Sequence, residues 1–250
     1  MEISSSSHSL PRTAFILAGG LGTRLRSVVQ DVPKPMAPVD GHPFLEYLLR
    51  HWQRQGIAHF VLSVGYMGEV IEGHFGTSYG GAEITYVREP APLGTGGALA
   101  FALQMGTLHD QTILMFNGDT WLDASLPTLH QDALQHTNAA ITLVLLKVAK
   151  NTRYGSVRAD KRGLITAFEE KTDAPDLINA GCYLLRPAQL AHELMDMPKI
   201  FSLEKDFLPR LAAEGKLAAS IQNAAFIDIG VPEDYARIQR EVALPGIFAQ

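Results

Sequence analysis

One cysteine, Cys182, stands in 250 residues, which excludes an intrachain disulfide and any cysteine-rich zinc site. No apolar run reaches the ~18 residues a helix needs to cross a bilayer, so no membrane partner is expected. Basic residues are in deficit, 21 Lys and Arg against 26 Asp and Glu, for a net charge of −5. That balance argues against a nucleic-acid partner but leaves room for a local basic pocket. The opening MEISSSSHSLPR lacks the apolar stretch of a secretory signal. Residues 1–12 therefore read as a disordered lead-in, and a cytoplasmic location is the default expectation. The pattern GxxxxGK[ST] is missing, and GxGxxG fails because Leu25 fills the third glycine position. The nine histidines show no metal-ligand spacing. Internal repeats and linker-like stretches are also missing, so one domain is expected over 13–250.

What is present suits a sizeable core: 46% of residues are hydrophobic and 19% charged. Short apolar runs that stop at turn residues, TAFILAGG, HFVLSVGY, EITYVRE and TILMFNGD, read as strands buried on both faces. Between them PFLEYLLRHWQRQG, TGGALAFALQM and SLPTLHQDALQHT read as helices. AAITLVLLKVA is a longer strand. After about residue 150 the rhythm changes to a hairpin turning at DKRG, the strand NAGCYLLRP, the helices AQLAHELMD and SLEKDFLPRLAAEG, a short strand FIDIG and a last helix VPEDYARIQREVAL. Strand–helix alternation in the first half predicts an α/β, Rossmann-like, doubly wound sheet that is mixed but mainly parallel. The second half is expected to build onto the same sheet.

Ligands of open α/β sheets bind at the carboxyl ends of the strands, where LAGGLGTRL, Leu17 to Leu25, places Gly19, Gly20 and Gly22. Backbone N–H groups without side chains approach a polyanion closely, and Arg24 adds a permanent charge in a planar fork. Taken alone, the stretch also reads as a tight turn with a solvated arginine. Lys34 sits between Pro33 and Pro35, which restrict the backbone around it and let the ammonium be aimed.

GG-x-GTRL followed by PKP resembles the signature of the sugar-1-phosphate nucleotidyltransferases, and EPAPLGTGGAL, NGD, FEEK, NAG and DIG extend the resemblance from Ala14 to about Ala243. Within that family the run ILAGGLGTRLRSVVQDVPKPMAPVDGHPFLEYLL is most similar to D-glycero-D-manno-heptose-1-phosphate guanylyltransferases. The resemblance implies a fold of the nucleotide-diphospho-sugar transferase type. It also implies a nucleotide-binding half over about 13–150 and a sugar-phosphate half over about 151–250. The implied partners are GTP and a sugar 1-phosphate, the products a GDP-sugar for surface glycan and pyrophosphate, and the cofactor Mg²⁺. A mannose-1-phosphate guanylyltransferase, a uridylyl- or thymidylyltransferase and a non-catalytic nucleotide-sugar sensor are the competing readings. A homo-oligomer is left open.

Carried over residue by residue, the resemblance puts Leu17, Ala18, Gly19, Gly20, Gly22, Thr23 and Asn117 at the nucleotide, with Arg24 and Lys34 on its phosphates. Asp119 and Asp228 match the metal-binding aspartates, and Mg²⁺ favours such oxygen ligands. Gly94, Thr95 and Gly96 are expected to flank the nucleoside. Glu89 stands where other members often carry glutamine. A carboxylate only accepts, which suits the adjacent N1–H and N2–H₂ donors of guanine, although backbone groups could read the base instead. Gly118, Tyr154, Gly155, Glu170, Lys171 and Asn179 are expected to line the sugar-phosphate site.

Overall fold

A computed structural model describes residues 9–25, 27–149, 154–169 and 176–241. Its first half runs β1 (Thr13–Leu17), β2 (Pro38–Val39), β3 (His42–Pro43), α1 (Phe44–Arg54), β4 (His59–Val64), α2 (Gly68–Phe75), β5 (Ser78–Tyr79), β6 (Ala82–Arg88), α3 (Gly94–Gln104), β7 (Ile113–Asn117), β8 (Thr120–Leu122), α4 (Leu126–Leu134) and β9 (Ile141–Val148). The second half adds β10 (Ser156–Ala159), β11 (Ile165–Glu169), β12 (Asp176–Leu185), α5 (Pro187–Glu193), α6 (Leu208–Ala213), β13 (Leu217–Gln222), β14 (Phe226–Asp228) and α7 (Pro232–Glu241). Among the described residues no helix is long and apolar enough to cross a membrane.

The ten-stranded sheet has the order β11-β10-β12-β7-β1-β4-β6-β5, with β9 pairing along β12 and carrying β13. Its centre, β7-β1-β4-β6, is parallel, and β12 joins it antiparallel. The mixed, doubly wound sheet expected from the alternation is therefore present. Side chains of β1 divide between the faces as the strand pleat requires. Ala14 and Ile16 join a core with α1, α2, α4 and α7, while Phe15 joins one with α3, α5 and α6. Helix α1 forms because Phe44, Leu45, Leu48, Leu49 and Trp52 fall on one buried face. Trp52 then packs against Phe116 of β7, ring centroids 5.6 Å apart.

The sequence reading overlooked α2, whose Gly68 and Gly73 lower helix propensity. It also overlooked β13, where two alanines and a serine carry no strand signature although most of the strand is buried. SLEKDFLPRLAAEG is not one α-helix. Leu203–Phe207 is wound as a π turn, closed by the Leu208 N–H on the Leu203 carbonyl, before α6 begins. Pro209 has no N–H to continue the regular ladder at that point.

Strand β12 outruns β7, pairing with it over Cys182–Leu185 and with β10 at Ile178. Its register against β9 shifts between Asn179 and Tyr183. Gly181 sits in that shift with φ +69°, and a Cβ there would fall 2.4 Å from Asn117 Nδ2. The bulge thus brings Asn179 up to the end of β7. Cys182 beside it is buried, which pushes its thiol well above the ordinary range.

A buried carboxylate ties α1 to α2 and β5. Glu46 accepts from His74 Nε2 at 2.9 Å, the Tyr79 hydroxyl at 2.8 Å and Arg50 at 3.0 Å, with His42 at 3.4 Å. Burial pushes its pKa up, but these partners outweigh burial and hold it below the ordinary 4.5. A carboxyl with a depressed folded pKa stabilises above its unfolded value and loses that contribution as pH falls through the folded one. Glu46→Gln is expected to cost about 1–3 kcal/mol at neutral pH. The deficit in thermal midpoint should shrink as pH is lowered below 4.5, as scanning calorimetry across pH 3 to 7 would read.

Candidate active site

The loop after β1 is anchored at both ends. Ala18 N–H donates to the Ser63 carbonyl at 2.9 Å, and Leu25 N–H to the Gly22 carbonyl at 3.1 Å. Leu25, the residue that breaks the dinucleotide pattern, is buried and pins the loop to the core. Leu17, Ala18, Gly20, Gly22, Thr23 and Arg24 line a cleft of about 190 Å³ with Lys34 and Asp119. Arg24 is exposed there.

Lys34 opens a 3₁₀ turn, Lys34–Met36, whose Pro35 and Met36 are buried and whose Pro33 is extended. Its ammonium is therefore aimed, as its two prolines implied. Nζ lies 2.5 Å from Asp119 Oδ2 and 3.6 Å from Asp228 Oδ1. Asp119 follows β7 in a tight turn. Asp228 ends β14, which pairs antiparallel with β8 so that Asp228 stands opposite Thr120. Ile229 N–H donates to the Asp119 carbonyl at 3.0 Å, and Gly230 N–H to Asp228 Oδ1 at 2.7 Å. Charges distant in the chain are thus held together by a two-stranded pairing.

A second cleft, about 290 Å³, continues from Leu17, Gly19, Gly20 and Asp119 to Glu89, Pro92, Gly94, Thr95 and Asn117. Glu89 accepts from Ser63 Oγ at 2.8 Å and from Leu93 N–H at 3.1 Å. A carboxylate has about four acceptor positions, so about two remain for a ligand. Gly96 is buried and lines neither cleft, and Gly118 lines neither as well. A Cβ on Gly96 would lie 2.1 Å from the Phe201 ring, so its smallness admits a neighbouring segment of this chain. Gly118 is buried in the turn after β7, where its N–H donates to the Leu17 carbonyl at 3.0 Å and ties β7 to β1.

The third cleft, about 490 Å³, is lined by Tyr154, Gly155 and Asn179 together with Asn117 and Asp228. Glu170 and Lys171 lie outside the described residues. The sequence reading missed Glu204 and Lys205, which also face this cleft. Their stretch read as an ordinary helix, and only the π turn brings both to the wall. A larger cavity of about 530 Å³, lined by Arg12, Asp110, His130 and Arg186 among others, receives no residue from these loops.

Asp119 and Asp228 offer hard carboxylate oxygens. Among the described residues no group of three or more His, Cys, Asp and Glu side chains could hold a metal. Two carboxylates suit a divalent ion that completes its shell with phosphate oxygens and water, so the donor set fits a cation shared with a polyphosphate.

A family model described as nucleotidyl transferase matches residues 13–244. The D-glycero-alpha-D-manno-heptose 1-phosphate guanylyltransferase of Aneurinibacillus thermoaerophilus is 41% identical over 231 residues, 92% of this chain and 97% of that protein. The enzyme so named from Campylobacter jejuni is 40% identical over 89% and 96% of the two chains. The crystal structure of HddC from Yersinia pseudotuberculosis complexed with GMP-PN superposes with TM-score 0.77 at 32% identity, covering 92% of this chain and 99% of that one.

Asp119→Asn and Asp228→Asn each remove one hard ligand. Mn²⁺ affinity in the presence of a nucleoside triphosphate, read by electron paramagnetic resonance, should fall by about tenfold or more in each variant.

Proposed function

This chain belongs to the nucleotidyl transferase family, and from that premise we propose that it transfers GMP from GTP to D-glycero-α-D-manno-heptose 1-phosphate, releasing pyrophosphate. The observation that carries the reading is the junction at Asp119. This residue lines both clefts on the glycine-loop side, while Asn117 and Asp228 beside it line the third. A triphosphate in the first two and a sugar phosphate in the third would meet there.

The reaction joins two anions, so the protein's work is alignment and charge. Backbone N–H groups of the glycine loop and the Arg24 guanidinium face the triphosphate. Lys34 supplies a directed positive charge where the sugar-phosphate oxygen would attack the α-phosphorus and pyrophosphate would leave. Mg²⁺, held by Asp119 and Asp228, would supply further neutralisation of the phosphate oxygens when bound. With phosphates present, Lys34 has anionic partners to exchange for the two aspartates. Tyr154, Gly155 and Asn179 form the sugar wall, and Glu170 and Lys171 are proposed to complete it. No covalent intermediate on the protein is required. A cytoplasmic location accords with GTP as substrate.

Glu89 is proposed to read guanine with its free acceptor positions. Its bonds to Ser63 and Leu93 also make it a clamp on the loop, and the two roles are separable. Glu89→Gln replaces one acceptor oxygen with a donor that opposes guanine's donors, at a cost of about 1–3 kcal/mol.

Two outcomes test this function. A matrix of GTP, UTP and dTTP against heptose and mannose 1-phosphates, read by pyrophosphate release, should show highest kcat/KM for GTP with the heptose. Glu89→Gln should narrow the GTP-to-UTP ratio, whereas a clamp alone would lower both without changing it. Arg24→Ala and Lys34→Ala should each cut kcat by about two orders of magnitude, in variants whose circular dichroism matches the parent. Wild-type turnover by either would remove that residue from the site.

A further inference from the structure

Two sets of hydrogen bonds lie at the third cleft, one on Glu204 and one between Tyr183 and Asn179. Thr95, at the start of α3 on the nucleotide side, donates from Oγ1 to Glu204 Oε2 at 2.7 Å. Thr95 Oγ1 also accepts from Leu203 N–H at 2.8 Å. Ser202 Oγ donates to the same carboxylate at 3.0 Å. The Tyr183 hydroxyl accepts from Asn179 Nδ2 at 2.9 Å. Asn179 Oδ1 in turn accepts from Gly181 N–H at 2.9 Å, at the bulge of β12. Tyr183 is fully buried, so its hydroxyl has no water to turn to. A buried polar group in that position holds its partners to one geometry.

We propose that Tyr183 is a positioning residue that fixes the sugar-site amide of Asn179. This rests on the reading of the third cleft as the sugar-phosphate site. The Asn179 amide spends one N–H on Tyr183 and an acceptor position on Gly181. What remains for a sugar hydroxyl is one N–H and one lone pair, both with a set direction. An unanchored amide could rotate and present donor for acceptor.

The test uses the full chain as Tyr183→Phe, Asn179→Ala and the double variant. Phe keeps the shape of the buried ring, so folding is preserved and only the hydroxyl is lost. Tyr183→Phe should raise KM for the sugar 1-phosphate about tenfold and leave KM for GTP unchanged. The double variant should be no worse than Asn179→Ala, because both changes remove the same directed amide. Hydrogen exchange at the Gly181 amide should quicken in Tyr183→Phe, with exchange in β1 unaltered. Unchanged sugar-phosphate KM with unchanged Gly181 exchange overturns the proposal, and so do fully additive losses. Turnover of the parent protein on GTP and heptose 1-phosphate separately tests the function. If the parent turns over no sugar 1-phosphate, that reading fails, and Gly181 exchange still decides whether Tyr183 holds Asn179.

Discussion

Two carboxylates drawn to one ammonium set the geometry on which the site depends. Asp119 and Asp228 both face Lys34 Nζ, and without a cation between them like charges would oppose the pairing of β14 with β8. With the lysine there, one ammonium faces both carboxylates and offsets part of their repulsion, leaving one net negative charge. Under the proposed function the same three groups would meet a triphosphate and its metal, with their charges oriented in advance. Lys34 can be held this way because Pro35 and Met36, the other two residues of the turn that it opens, are buried.

Packing around this centre makes use of small side chains in a way their motif does not announce. Gly96, in the stretch resembling a nucleoside loop, gives way to the Phe201 ring, and Gly97 gives way to the Lys199 carbonyl. The segment so admitted leads into Leu203–Phe207, which carries Glu204 and Lys205 to the third cleft. Gly181 gives way to the Asn117 amide. One glycine therefore docks a segment from about a hundred residues away, and another lets two asparagines from different strands share one wall. Close packing leaves no room for a methyl group at either place.

Much of the fold was legible because its signals are local. A run such as TAFIL is apolar at every position and stops at glycine, and the Phe44–Trp52 face repeats at helical spacing. Strand β13 and helix α2 were not legible, since LAASIQ is too poor in branched and aromatic residues and GEVIEGHF too rich in glycine. Their burial is conferred by neighbours, with β13 completing the edge beside β9. The π turn was hidden for a similar reason. Its residues favour helix individually, and the interruption comes from Pro209 acting several residues back along the ladder.

The site divides along the same line. By itself, the sequence determined which charges are present and which are rigid: Arg24 after the glycines, Lys34 between prolines, aspartates at the ends of short apolar strands. These follow from residue type and near-neighbour backbone restriction, which act over a few positions. Tertiary structure alone decided what each group faces. It placed Asp119 and Asp228 on one lysine, turned Gly96 and Gly118 away from the clefts, and brought Glu204 and Lys205 in. Strand pairing and core packing between segments far apart in the chain make those choices, and no short stretch of sequence contains both partners.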